Sequence, residues 1–181
     1  MIYNFIQTQY RFIYKTFLMF FFFAIAYLFF KENRGKKSKE KMLSLLKQPR
    51  VILFLLYASY LLTATVVGRY YKRPYGLTFS HFGIRIGDPA WNEDIINNII
   101  LFIPLTLSYN FAFRPKKIFK TDFYLSFFTT VFIELSQLIG WLGSFQFADM
   151  FHNVIGGMLG CGVWCLAERI ISEMVKTSYK P

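Results

Sequence analysis

Five runs of about 20 mostly apolar residues dominate this chain and leave it few ways to fold. They are Arg11–Phe30, Val51–Gly68, Ile95–Phe113, Asp122–Leu142 and Met150–Ala167. A helix rises about 1.5 Å per residue, so each run can cross a hydrocarbon core of about 30 Å. The strand alternation typical of transmembrane barrels is absent, which leaves helices as the spanning structure. The runs therefore predict an all-α integral membrane protein, a bundle of about five transmembrane helices.

The composition supports this prediction and argues against a nucleic-acid partner. Apolar residues make up 55% of the chain and aromatic residues 21%, more than soluble domains contain. The formal net charge is +11, but the basic residues cluster in the connections between the runs. Such clustering indicates membrane orientation rather than nucleic-acid binding. The length suits one bundle, so we predict a single membrane domain over residues 1–181.

The connections between the runs carry basic residues unevenly, which predicts the orientation. Twelve Lys or Arg residues lie in the 31–50 and 114–120 connections, whereas the other two connections hold four. Basic loops remain in the cytoplasm, so we expect the N-terminus outside and the C-terminus inside a bacterial cytoplasmic membrane. Residues 31–50 then form a cytoplasmic loop and residues 69–94 an extracellular loop. The pattern after Pro74-Tyr75-Gly76 predicts a short hairpin or an interfacial segment.

Polar side chains within the apolar runs are the candidate site residues. An ionised side chain at the centre of a span costs about 2.5–3.5 kcal/mol, so it needs a partner or a cavity. Glu134 and Gln137 share one helical face, and so do Asp149 and Asn153. Together with Asn98 they fall in the outer half of the membrane in the predicted orientation. We therefore expect a polar pocket that opens towards the outside or the outer leaflet.

Small residues and one proline accompany these polar side chains. Gly156 and Gly160 form a Gly-x-x-x-Gly pattern, which allows two helices to approach closely. Pro104 lacks an amide proton and so leaves the carbonyl near Ile100 without its helical hydrogen bond. That carbonyl can join a polar site, or the proline can simply kink the helix.

Each candidate also has a purely structural interpretation. Gln137 and Asn153 can simply hold helices together, and Asp149 can cap the start of a helix. His152 as a metal ligand, or Cys161 with Cys165, would make an incomplete ligand set, so we expect no metal and no other cofactor.

Three segments, in this order and at this spacing, resemble the VanZ-like family, which includes the teicoplanin-resistance protein of glycopeptide-resistance gene clusters. They are Asn98-Ile99-Ile100-Leu101-Phe102-Ile103-Pro104-Leu105, Glu134-x-x-Gln137, and Asp149-x-x-x-Asn153-x-x-Gly156-Gly157-x-x-Gly160. The similarity covers about residues 91–162. It implies a membrane protein with functional positions at Asn98, Phe102, Pro104, Glu134, Gln137, Asp149 and Asn153.

The sequence departs from the family pattern at three positions. The glycine that often follows Phe-x-Pro-x is Thr106 here. An acidic residue common three positions before the motif Asp is Gln146, and the arginine of many members is Gly143. A pocket that requires the extra charge would have an altered activity in this protein.

We expect a non-catalytic protein of the cell envelope that binds or shields an outer-leaflet polar lipid or a lipid-linked ligand. Its partners would be membrane lipids and a lipid-linked envelope molecule or lipoglycopeptide, with a contribution to resistance against teicoplanin-type antibiotics. One alternative is a membrane-embedded enzyme that uses the same carboxyl groups as acid and base, although no known nucleophile or metal motif is present. Another alternative is a small proton-coupled transporter in which Glu134 carries the proton.

Overall fold

The computed structural model describes residues 47–67, 87–140 and 142–178, together with residues 44, 76–78 and 83. The predicted first span lies outside these residues. The described elements, in chain order, are helix α1 (Pro49–Leu62), a π-helical turn (Thr63–Val67), strand β1 (Leu77–Thr78), helix α2 (Pro89–Phe113), helix α3 (Ile118–Ile139), strand β2 (Phe145–Gln146) and helix α4 (Phe147–Ser178).

Prolines and one unusual backbone conformation set several helix ends. Pro49 and Pro89 open α1 and α2, where the missing amide proton costs nothing. After α2, Arg114 adopts a positive φ of 44° and its amide donates to the carbonyl of Asn110 at 3.0 Å. Pro115 follows and cannot continue the helix. The basic connection between α2 and α3 is therefore a tight turn.

In the described part of the chain, three helical segments are long and apolar enough to cross a membrane, namely Pro49–Val67, Asn92–Phe113 and Phe147–Thr177. They coincide with three of the predicted spans, and the prediction of a helical membrane protein is confirmed to this extent. The ends differ, because α4 continues about ten residues beyond the predicted Ala167. Charged residues occupy that extension, and the helix persists there although hydropathy falls.

The predicted fourth span, Asp122–Leu142, coincides with α3, which begins four residues earlier and ends at Ile139. By length and composition α3 is not one of the candidate spans. The predicted 69–94 loop is also shorter than expected, because its last six residues belong to α2. Within it, Leu77 and Thr78 form a strand, and the adjacent Gly76 carbonyl accepts a hydrogen bond from the amide of Phe145 at 2.8 Å.

The described residues form two compact units. Unit 1 contains α1, the π-helical turn and the end of α3 from Ile133 onwards. Unit 2 contains α2, the first part of α3 and α4, with α2 packed along α4. Among the described residues, the buried set includes 14 polar or charged side chains and 11 hydrophobic ones. A water-soluble core has the opposite balance, so the exterior of these helices suits lipid.

Candidate functional site

Helix α3 carries a line of buried polar residues, which we call the polar stripe of α3. Its members recur at intervals of three or four residues and therefore share one helical face. They are Asp122, Ser126, Thr130, Glu134 and Gln137, each no more than 1% exposed. The rest of the helix surface is exposed and aromatic or aliphatic, including Phe119, Phe128 and Ile139. This division leaves α3 with an apolar outer surface although it carries buried polar and charged residues.

In unit 1, the last part of the stripe meets the end of α1. The Gln137 amide nitrogen donates to the backbone carbonyl of Thr65 at 2.9 Å. Thr65 lies in the π-helical turn, where the usual i to i−4 bonding is interrupted and carbonyl groups become available to other donors. The hydroxyl of Thr65 is itself occupied by the carbonyl of Leu61 at 2.7 Å. The π-helical turn therefore orients the side chain of Gln137.

Gln137 and Glu134 together present polar oxygen atoms in a buried position. The carbonyl oxygen Oε1 of Gln137 is buried and has no hydrogen-bond donor among the described residues. Glu134, one turn earlier, is 1% exposed. A carboxyl group beside an unpaired amide oxygen can accept hydrogen bonds from the hydroxyl or ammonium groups of a ligand.

In unit 2, the start of α4 brings three predicted polar residues into buried positions. Asp149 lies in the first turn of α4, where the helix dipole favours a negative charge. It is buried rather than solvent-exposed, so the simple interpretation as a solvated cap does not describe it. His152 and Asn153 follow within one turn and are buried as well.

Asn153 is held by the polar stripe of α3. Its amide nitrogen donates to the hydroxyl of Thr130 at 2.8 Å. This bond fixes Asn153 against α3, which agrees with the structural interpretation of this residue. Asn98, by contrast, is half-buried, and its side chain makes no hydrogen bond with another described residue.

The glycines of α4 allow α2 to approach within backbone contact. A Cβ atom at Gly156 would collide with the carbonyl oxygen of Ile99, and one at Gly160 would collide with the hydroxyl of Thr106. Thr106 also donates to the backbone carbonyl of Gly157 at 3.0 Å. The glycine pattern is thus used within this chain, between α4 and α2. Phe102 is fully buried in α2, and Pro104 lies inside the same helix.

The sequence interpretation missed a second group of buried polar residues at the start of α3. The amide nitrogen of Asn110 donates to Asp122 Oδ2 at 2.7 Å, and both side chains are fully buried. In the sequence, Asp122 marks only the end of a span. The spacing of four residues between Asp122, Ser126, Thr130 and Glu134 was the available signal. No group of three or more metal-ligand side chains of the His, Cys, Asp or Glu type occurs among the described residues.

Comparison with known proteins supports the resemblance noted in the sequence. The family model described as VanZ/LLP1 matches residues 12–168. "Protein VanZ" from Enterococcus faecium is 31% identical over 86 residues, which is 45% of this chain and 50% of that protein. The chain thus spans half the length of this curated relative. No solved structure matches the chain.

Proposed function

Because the chain belongs to the VanZ/LLP1 family, we propose that it is a multi-pass membrane protein of the bacterial cell envelope that binds the polar part of an outer-leaflet lipid or lipid-linked ligand. The predicted resemblance to the VanZ-like family is confirmed, and the family match covers residues 12–168. In this proposal the protein has no catalytic step. Its effect would be to hold or shield an envelope molecule.

One observation carries the proposal: a carboxyl group and a carboxamide, Glu134 and Gln137, are buried at 1% exposure three residues apart in one helix. The opposite surface of that helix is aromatic and exposed, as expected for a helix in contact with lipid. The cost of placing a carboxyl group in such a helix indicates a functional role. The unpaired Oε1 of Gln137 adds an acceptor that a ligand hydroxyl or amine can satisfy.

Within unit 2, Asp149, Asn98 and Asn153 are the residues that we propose to bind ligand. Asp149 supplies a second negative charge at a helix N-terminus. Asn153 donates a hydrogen bond to Thr130, so it would help to position the ligand but would not bind it alone. We place all of these residues in the outer half of the membrane, in a five-span arrangement with the N-terminus outside.

The family resemblance extends the proposal to antibiotics. A teicoplanin-type glycopeptide carries a lipid tail that inserts into the outer leaflet, next to polar sugar and peptide groups. A site that recognises a polar group at this depth could bind such a molecule or shield the envelope component that the molecule attacks. We therefore propose a contribution to resistance against teicoplanin-type antibiotics.

The test compares Glu134→Gln and Asp149→Asn with the unaltered protein, all expressed to the same level in a susceptible bacterium. We expect each variant to lose at least half of any protection against teicoplanin, measured as the inhibitory concentration. Native mass spectrometry of the purified protein should show loss of the co-purified lipid in parallel. Glu173→Gln is the matched control, since Glu173 is exposed near the end of α4 and pairs with Arg169 at 3.2 Å.

The result that would overturn the proposal is unchanged lipid retention and unchanged teicoplanin protection in both variants, provided that they insert correctly. Insertion is checked separately by protease protection of the membrane fraction. Turnover of a lipid-linked substrate that disappears with Glu134→Gln would instead favour the enzyme interpretation.

A further inference from the structure

The buried group around Asp122 lies in unit 2 and plays no part in the proposed ligand site. Asp122 sits in the second turn of α3 and is 0% exposed. Asn110 of α2 donates to one of its oxygens, so helices α2 and α3 meet at this carboxyl group.

Three oxygen atoms in this group have no hydrogen-bond donor among the described residues. They are Oδ1 of Asp122, Oδ1 of Asn110 and Oγ of Ser126, and all three side chains are fully buried. Asp122 and Ser126 lie one turn apart on the same face of α3. Asn110 is held against Asp122 by the 2.7 Å bond between its amide nitrogen and Oδ2 of Asp122. The group thus contains three buried oxygen atoms without hydrogen-bond partners in the described part of the chain, and only the Ser126 hydroxyl can itself donate.

The charge of Asp122 is also uncompensated by a side chain. Asp122 forms no ion pair with a described residue, and the side chain that donates a hydrogen bond to its carboxyl group is the neutral amide of Asn110. An isolated carboxylate in a buried, lipid-surrounded position is strongly unfavourable. A buried water molecule would donate hydrogen bonds but would leave this negative charge in place. Neutralisation requires a positive charge.

We propose that Asp122, Asn110 and Ser126 form a binding site for one small monovalent cation, a proton or a sodium ion, which neutralises Asp122 and joins α2 to α3. Divalent ions are disfavoured, because Ca²⁺ takes six to eight oxygen ligands and Mg²⁺ keeps several waters. A proton would bridge the two free oxygens of Asp122 and Asn110 and complete a cyclic acid–amide pair. A sodium ion would use all three oxygens.

A bound sodium ion and a bound proton would affect the thermal unfolding of the full chain in detergent micelles differently. For sodium, the melting temperature rises by about 3–6 °C per tenfold increase in NaCl at constant ionic strength, with N-methyl-D-glucamine chloride as the replacement salt. For a proton, sodium has no specific effect, and the melting temperature rises by a similar amount per pH unit as the pH falls. A carboxylic-acid C=O band in the infrared spectrum identifies the proton directly.

Asp122→Asn is the decisive variant, because it keeps the shape of the side chain and removes the charge. We expect it to lose the response to sodium or to pH and to lose the carboxylic-acid band. Ser126→Ala keeps the charge and should weaken the sodium response at least tenfold in midpoint concentration, while it leaves a proton response unchanged. Glu173→Gln is the control for removal of an exposed carboxylate and should respond like the unaltered protein.

The proposal is overturned if the unaltered protein and Asp122→Asn show the same dependence on both sodium and pH. If Asp122→Asn does not fold, two measurements on folded protein take its place. The infrared spectrum must then show a buried carboxylic acid that persists in Glu134→Gln and in Asp149→Asn, which lack the other buried carboxyl groups, or Ser126→Ala must shift the sodium midpoint. If neither the infrared band nor the shift in the sodium midpoint is observed, the cation site is rejected. The teicoplanin and lipid measurements on Glu134→Gln are independent of this outcome.

Discussion

At the scale of single residues, Gly156 is the described glycine that lies closest to the backbone of another helix. A Cβ atom at this position would collide with the backbone carbonyl of Ile99, which cannot rotate away as a side chain could. At Gly162, six residues later on the same helix, an added Cβ atom would have nothing within 4 Å. The two glycines therefore form a matched pair for testing the packing of α4 on α2.

We expect Gly156→Ala to destabilise the protein by about 1–3 kcal/mol, because the two helices must separate to admit the methyl group. Gly162→Ala should be neutral or stabilising by up to about 1 kcal/mol, since alanine favours a helix over glycine. Reversible denaturation in mixed micelles measures the free energy of unfolding of both variants. Equal stability of the two variants would show that α2 and α4 do not pack as described.

Residues also show where sequence reasoning reached its limit. Glu134 and Gln137 stood out because they interrupt an apolar run, and the structure buries both. Asp122 and Asn110 did not stand out, because both lie beside a basic connection where polar residues are expected to be solvated. Only the tertiary packing of α2, α3 and α4 reveals that they are buried, and no local pattern contains that information.

At the scale of elements, α3 is the helix on which the proposed topology depends. It is 22 residues long, enough for about 33 Å at the usual rise, but it is not among the candidate spans by length and composition. Its polar residues are concentrated on one buried face, and the remaining surface is apolar. A helix of this kind suits a membrane when neighbouring helices cover its polar face.

We predict that α3 crosses the membrane, so that its two flanking connections face opposite sides. In a Cys161→Ser/Cys165→Ser background, a cysteine at Ser144 should react with an impermeant reagent in intact cells. A cysteine at Lys117 should react only after permeabilisation, and one at Ser178 should behave like Lys117. Labelling of positions 117 and 144 from the same side would exclude α3 as a span. Protection of position 144 in intact cells would reverse the placement of Asp149.

The ends of the helices were harder to predict from the sequence than the helices themselves. Apolar runs indicated α1, α2 and α4 because burial in lipid requires apolar side chains over a full span. The charged extension of α4 after Ala167 carries no such signal, because hydropathy reports the solvent around a helix rather than the helix itself. The π-helical turn likewise has no marker in the apolar run that contains it.

At the scale of the whole molecule, the described residues place polar groups inside and apolar groups outside. Exposed large hydrophobic side chains occur on all four described helices, with Phe128 at 63% and Ile139 at 76% exposure. The sequence predicted this from overall composition and periodic apolar runs. It did not predict which polar residues pair with one another, since pairs such as Thr130 with Asn153 depend on how the helices pack.

An outward-facing position should therefore tolerate charge poorly, unlike the surface of a soluble protein. We expect Phe128→Asp to reduce membrane integration, since a carboxylate at mid-span costs about 2.5–3.5 kcal/mol on insertion scales. Lys116→Asp, at an exposed position in the connection before α3, is the control and should integrate normally. The measurement is the fraction of the chain that resists carbonate extraction. Full integration of Phe128→Asp would mean that this face of α3 does not contact lipid.

The π-helical turn has a consequence for how this protein can change over generations. Thr63–Val67 winds with five residues per hydrogen-bonded loop instead of four, so it contains in effect one inserted residue. Loss of a single codon there would restore regular α-helical winding and remove the wide turn, because the residue lost is the one that this turn accommodates. The Thr65 carbonyl would no longer be available to Gln137 in the same way. Descendants of this gene should therefore tolerate substitutions within the segment far more readily than changes in its length.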